Sequence, residues 1–184
     1  MVYHMTVAGL KRDLPICPVN ENLSIAGFVI FGDQELTVAC ARELLKKAPE
    51  YDYIITAEAK GIPLAHEMAR QAGDAKYFVA RKGSKLYMRD TFGVAVRSIT
   101  TDREQHLYLD GSDAKLIKGK RILVLDDVIS TGESLTALEA LVEKAGGIIC
   151  GRMAILAEGE AKDRKDIIYL EPLPLFNPDG TPKD

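Results

Sequence analysis

Arg121-Ile-Leu-Val-Leu-Asp126-Asp127-Val-Ile-Ser130-Thr131-Gly132-Glu133-Ser134 is the stretch that decides the fold. Ile122 to Leu125 are four consecutive branched apolar residues that end in two adjacent carboxylates. A run apolar at every position suits a central strand of a parallel sheet, covered by helices on both faces. Ligands of such sheets bind beyond the carboxyl ends of the strands, where Asp126 and Asp127 are expected. From Ser130 the chain turns into a helix, so its backbone N–H groups lack intrahelical partners. With the helix dipole and nearby hydroxyls they suit a phosphate dianion. Gly132 would let backbone approach such a ligand closely. Two carboxylates do not attract phosphate, but they can hold sugar hydroxyls, directly or through hydrated Mg²⁺. Together these features describe a cradle for a phosphorylated sugar. The plainer alternative is a buried strand followed by a capped helix, in which tandem acids would be costly without a ligand.

The remaining composition sets bounds. A chain of 184 residues, 47% hydrophobic and 28% charged, is of a size and make-up for one α/β domain with a substantial core. A net charge of −3 gives no support for general nucleic-acid or membrane binding. Cys17, Cys40 and Cys150 are scattered without metal-ligand spacing, and an odd count is a poor disulfide framework; a reducing cytoplasm fits best. No apolar run approaches the ~20 residues needed to span a bilayer, and the first residues lack a signal-peptide pattern.

Taken outward from the central stretch, strands and helices alternate. A helix is expected from Gln34 to about Lys47, capped by Asp33, with Leu36, Cys40 and Leu44 on one face. Tyr53 to Ala57 reads as a strand, Glu58-Ala59-Lys60-Gly61 as a turn, and Ile62 to Gln71 as a helix. Lys60 and the N–H groups of a glycine turn at a helix start could serve an anion. Tyr77 to Ala80 is another strand, and Arg81, Lys82 and Lys85 at its exit suit a polyanion. Taken alone, Glu58 to Gly61 reads more readily as a solvated turn, and the basic cluster reads as a solvated surface as readily as an anion site. Leu86 to Gln105 has mixed periodicity, with a hairpin through Phe92 to Ile99 as one option; segments of this length are often lids. A strand near His106 to Asp110, a helix from Glu133 to Lys144 stopped by Gly146-Gly147, a strand from Ile148 to Ala157 and a short one from Ile167 to Leu170 complete the pattern. Residues 1 to 24, with Pro15 and Pro18, are expected to be irregular, and the tail from Asn177 loose. Alternating strands and helices predict an α/β fold: a doubly wound, mostly parallel twisted sheet with helices on both faces.

Val124-Leu-Asp126-Asp127-Val-Ile-Ser130-Thr131-Gly132-Glu-Ser134 resembles the phosphoribosyl pyrophosphate (PRPP) signature of the type I phosphoribosyltransferases. The resemblance implies that Asp126 and Asp127 bind the ribose hydroxyls and serve catalysis. Val128, Ile129, Ser130, Thr131, Gly132, Glu133 and Ser134 would hold the 5-phosphate. Glu58, Ala59, Lys60 and Gly61 resemble the pyrophosphate loop of the purine branch, joined by Arg81, Lys82 and Lys85, with an unusual peptide, cis in form, expected between Ala59 and Lys60. A small hood over the site would come from residues near 25 to 33 and 158 to 176. Gly27 to Asp33 resembles the Gly-Val-x-Phe-Arg-Asp stretch of the adenine-specific members, although Gly32 stands in place of the arginine. Val29, Ile30, Phe31 and Glu158 would then meet the base, with Phe31 lying against the ring or packing in the core. The implied acceptor is a purine, adenine ahead of 6-oxopurines. The implied cofactor is Mg²⁺, carried mainly by PRPP, and the implied assembly is a homodimer. Arg103 and Glu104 are weak candidates for a lid residue, and His66 and His106 are expected to be incidental.

Two rivals remain open. A PRPP-sensing regulator on the same fold would keep the loops and discard the chemistry. A phospho-accepting receiver domain also displays paired acids at a strand end, but near the start of its chain. Neither a Walker Gly-x4-Gly-Lys-Ser/Thr nor a Gly-x-Gly-x-x-Gly occurs, so nucleotide hydrolysis and dinucleotide binding lack their motifs.

Overall fold

The computed structural model describes residues 1–97 and 104–183. In chain order the elements are β1 (Val2–Val7), β2 (Leu10–Asn20), β3 (Leu23–Ala26), α1 (Gln34–Leu45), β4 (Tyr53–Ala57), α2 (Ile62–Ala72) and β5 (Phe78–Ala80). They continue with β6 (Phe92–Arg97), β7 (Glu104–Leu109), α3 (Gly111–Ile117), β8 (Arg121–Ile129), α4 (Glu133–Lys144) and β9 (Ile148–Glu158). A 3-10 turn (Gly159–Asp163), β10 (Ile168–Leu173), β11 (Leu175–Phe176) and β12 (Pro182–Lys183) complete the chain.

The core is a five-stranded sheet in the order β10-β9-β8-β4-β5, with every neighbouring pair parallel. β8 is central, and its apolar run divides between two cores. Leu123 and Leu125 pack with Leu36, Cys40 and Leu44 of α1 and Leu64 and Met68 of α2. Ile122 and Val124 pack with Leu135, Leu138 and Leu141 of α4 and Ile117 of α3. The unbroken hydrophobicity of the strand thus follows from helices on both sides of it. All four residues are fully buried, and truncating Leu123 to alanine should cost about 2–5 kcal/mol.

Local chemistry sets the helix ends. Asp33 caps α1, accepting from Leu36 N at 3.1 Å. α2 opens with a proline in its first turn and stops at Gly73 in the left-handed region. β6 and β7 form a hairpin that crosses to β5 through an Arg81–Tyr108 bridge and packs Phe92, Val94 and Val96 against the α4 face.

The N-terminal region departs from expectation. Residues 1–24 are not irregular: β1, β2 and β3 join β11 and β12 in a second, antiparallel sheet. Ala8 and Gly9, at φ 50° and 81°, make a tight two-residue turn between β1 and β2. Pro18 sits beside a register shift in the β2–β3 pairing, where a missing N–H costs least. The buried side of this sheet, including Met5, Leu14 and Phe176, continues the core of α1 and α2. Residues 27–33 link it to α1. The tail also differs from the expected loose end, because Thr181 O accepts from Asn177 N and β12 pairs with β11.

Candidate active site

The order of the parallel strands reverses between β4 and β8: the chain steps outward to β5 on one side, then to β9 and β10 on the other. Open α/β sheets leave a crevice at such a point. The register Thr56↔Leu125 brings the turn after β4 beside the two acids of β8. The acids lie within β8 and not beyond it, since pairing with β9 continues to Ile129↔Ala157.

Asp127 is almost fully buried, and Lys60 Nζ stands 2.9 Å from its Oδ2. That oxygen has no well-aligned hydrogen-bond donor among the described residues. Asp126 accepts from the Asp127 N–H at 2.9 Å. Burial, then the neighbouring Asp127 charge, holds the Asp126 carboxyl well above the ordinary carboxylate range, and Lys60 opposes this. A paired acid group of this kind attracts hydroxyl donors or a cation. No cluster of three or more metal-ligating side chains occurs among the described residues, so a hard cation here would take most of its oxygens from a ligand.

Glu58 to Gly61 wraps over the acids. The Glu58–Ala59 peptide is cis, one residue earlier than expected. A Cβ at Gly61 would collide with Thr56 Oγ1 and lie 3.5 Å from Asp126 Cα, so only glycine lets the turn sit this low. Thr56 Oγ1 beneath it is fully buried and has no hydrogen-bond partner among the described residues. Ala59 and Lys60 are exposed. Glu58 accepts from Arg81 Nε at 3.1 Å, from Arg81 Nη2 at 3.3 Å and from Lys82 N at 3.0 Å. The Arg81 bonds foremost, then the Lys82 N–H, hold its carboxyl below the usual range, with Lys85 adding a smaller pull. Arg81 Nη1 also donates to Tyr87 Oη at 2.7 Å, a partner with no signal in the sequence.

The segment from Ser130 to Ser134 forms the other side. Gly132, at φ 81°, ends the turn into α4, and Asp126, Ser130, Thr131, Glu133 and Ser134 line one small concavity there. Ser130, Thr131 and Ser134 are exposed, whereas Ile129 faces the α4 core and can offer a ligand only its main chain; Val128 is half-buried.

Glu158 ends β9, half-buried. Burial raises its carboxyl pKa and Lys60 lowers it, so Glu158 and the acids of β8 share one lysine. Val29 and Phe31 lie on the link into α1 with about half of each surface exposed, and Ile30 between them is fully buried. Phe31 is therefore not a core residue. No hydrogen bond or ring contact joins Val29 or Phe31 to the loops among the described residues. Arg103 and the Glu104 side chain lie outside the described residues.

A family model described as phosphoribosyl transferase domain matches residues 31–172. The chain belongs to the phosphoribosyltransferase family. A hypoxanthine/guanine phosphoribosyltransferase of Methanococcus voltae is 32% identical over 138 residues, 75% of this chain and 70% of that protein. One from Methanothermococcus okinawensis is 34% identical over 114 residues, 62% of this chain but only 58% of the relative. Among solved structures, adenine phosphoribosyltransferase of Thermoanaerobacter pseudethanolicus superposes with a TM-score of 0.70 at 21% identity, covering 86% of this chain and 95% of its own. The Saccharomyces cerevisiae enzyme, complexed with an imino-altritol bisphosphate and adenine, gives 0.64 at 21%, covering 86% and 92%. The superpositions show that the phosphoribosyltransferase has the fold of these solved enzymes.

Proposed function

We propose that this phosphoribosyltransferase moves ribose 5-phosphate from PRPP to a purine nitrogen and releases pyrophosphate. The observation that carries the proposal is an acid pair at the switch point, Asp127 buried and Asp126 partly open to the concavity, flanked by two anion-suited turns. In this scheme Asp126 and Asp127 hold the ribose hydroxyls, and Ser130 to Ser134 cradle the 5-phosphate, with Val128 and Ile129 contributing backbone. Ala59, Lys60, Gly61, Arg81, Lys82 and Lys85 receive the pyrophosphate, while Glu58 orients Arg81. As the bond from ribose C1 to pyrophosphate loosens, positive charge grows on the ribose beside the acids and negative charge grows on the leaving group beside the cations. Mg²⁺ bound with PRPP would neutralise part of the pyrophosphate charge. The two acids fit such an ion, since one buried Asp127 oxygen is met, among the described residues, by the off-line Lys60 ammonium alone.

Phe31 offers an exposed ring face and Glu158 an acceptor to the base, with Val29 and Ile30 supplying main-chain groups. The likeness of Gly27 to Asp33 to the adenine-specific members favours adenine, whereas a carboxylate acceptor at Glu158 would serve an exocyclic amine or a ring N–H of several purines. The names of the curated relatives favour hypoxanthine or guanine as the second reading. No described helix is long and apolar enough to cross a membrane, and three free cysteines suit a reducing cytoplasm. A homodimer completes the proposal.

Pyrophosphate release with PRPP and Mg²⁺, assayed separately with adenine, hypoxanthine, guanine, xanthine and no base, is the test. Turnover with one purine, lost in Asp126→Asn/Asp127→Asn, establishes the transferase. Tight PRPP binding without turnover on any purine would leave a sensor on the same fold. Absence of PRPP binding would sink both.

A further inference from the structure

Arg164 follows the 3-10 turn after β9 and belongs to no motif, yet its guanidinium reaches the turn before α4. Two of its nitrogens are fixed: Nε donates to Asp166 Oδ1 at 3.0 Å and Nη2 to Asp166 Oδ2 at 2.7 Å. This fork leaves Nη1 pointing away from Asp166. Nη1 lies 2.7 Å from where a Cβ on Gly132 would stand, and it has no acceptor among the described residues. Asp166 is itself flanked by Arg152, 3.8 Å away, which pairs with Glu139 of α4. A chain of alternating charges therefore runs along the first turns of α4 and ends in an unspent guanidinium N–H at Gly132.

The absent side chain at position 132 serves two ends. It permits the left-handed turn, and it clears the space that Nη1 uses. An alanine there would meet the guanidinium at well below van der Waals distance. A planar cation fixed on one edge by a carboxylate presents its remaining donors in a set direction, which suits a phosphate oxygen.

We propose that Arg164 is a ligand of the sugar 5-phosphate, and that Asp166 is the positioning residue that aims it. This deepens the transferase proposal above and rests on it. The ligand class is a phosphate monoester at the α4 turn, not the pyrophosphate at the α2 turn.

Calorimetric titration of the full chain with ribose 5-phosphate, and separately with Mg²⁺-pyrophosphate, tests it. Arg164→Ala should weaken ribose 5-phosphate about tenfold and leave pyrophosphate within about twofold. Arg164→Gln, which keeps the stem, should lose about as much and serves if the alanine variant fails to fold. Asp166→Asn should weaken ribose 5-phosphate about threefold alone, yet add nothing in the Arg164→Ala background. Unchanged ribose 5-phosphate affinity in both Arg164 variants overturns the assignment alone. Equal loss of both ligands assigns Arg164 a structural role and also overturns it. Wild-type protein that binds no ribose 5-phosphate overturns the phosphate role of the α4 turn, and Arg164 falls with it.

Discussion

The two anion-suited turns of this protein are built alike and held differently. Each follows a parallel strand, opens a helix and depends on a glycine. The turn before α2 is tied by ion pairs: its Lys60 rests against Asp127 of β8 and its Glu58 against Arg81. The turn before α4 leaves Ser130, Thr131 and Ser134 exposed, and none of its own residues supplies a cation. One half presents cations that are already paired, whereas the other presents exposed hydroxyls. The difference teaches that, under the proposed scheme, taking a pyrophosphate requires Lys60 and Arg81 to exchange their present carboxylate partners for the ligand.

The sharpest break is to remove the two acids of β8 that lie beside the first turn. Asp126→Asn/Asp127→Asn should lower kcat/KM about a thousandfold or more, measured by pyrophosphate release, while leaving affinity for ribose 5-phosphate far less affected. Next comes the tie itself. Lys60→Met should weaken Mg²⁺-pyrophosphate about thirtyfold by calorimetry and leave inorganic phosphate unchanged. Equal losses for both anions would erase the contrast between the turns.

A smaller effect concerns the helix that carries the closed turn. Glu67 of α2 is buried and accepts from Arg70 at 2.7 and 2.8 Å and from Gln71 at 2.7 Å. Arg70 first, and Gln71 further, hold its carboxyl down to about 2, against burial. A carboxylate lowered on folding contributes stability above its unfolded pKa of about 4.3, and the contribution disappears as pH falls through about 2. Because Arg70 is largely exposed, this amounts to about 1 kcal/mol. Urea unfolding at pH 7 and pH 3 should show wild type losing more stability than Glu67→Gln over that interval. Asp126 has the opposite sign: its raised pKa favours the folded free protein at low pH, and the benefit fades as pH rises through the raised value. The smallest effect expected is at Thr56, whose hydroxyl is buried without a partner among the described residues. Thr56→Val should leave the ligand-free protein as stable, or up to about 1 kcal/mol more so, by thermal unfolding. A clear loss of stability would mean that the hydroxyl is already satisfied.

The central sheet and both turns were legible because their cues are local. Ile122 to Leu125 cannot be buried on both faces without helices on each side, and glycines at 61 and 132 mark turns into helices. The second sheet was not legible. Pro15 and Pro18 read as breakers, and an Ala8-Gly9 turn lacks the usual Asn or Asp signal. Phe31 shows the limit of a residue type: an aromatic in an apolar run suits a core as well as a ring face, and only its exposure separates them. Arg164 was invisible for another reason. Its partners, Asp166 nearby and Gly132 far back in the chain, are joined by the packing of β9 against β8, which no spacing reports.

The division of β8 between two cores has a consequence for hydrogen exchange. Amides of Leu123, Val124 and Leu125 lie in a central strand whose side chains are sealed on both faces, so deuterium can reach them only through global opening. The acids therefore ride on one of the slowest-exchanging segments of the chain, and ligand should add little protection there beyond its effect on global stability. The exposed turn at Ala59 and Lys60 should exchange quickly in the free protein and slow on binding. Exchange rates at these two neighbouring places would separate the part of the site that waits from the part that moves.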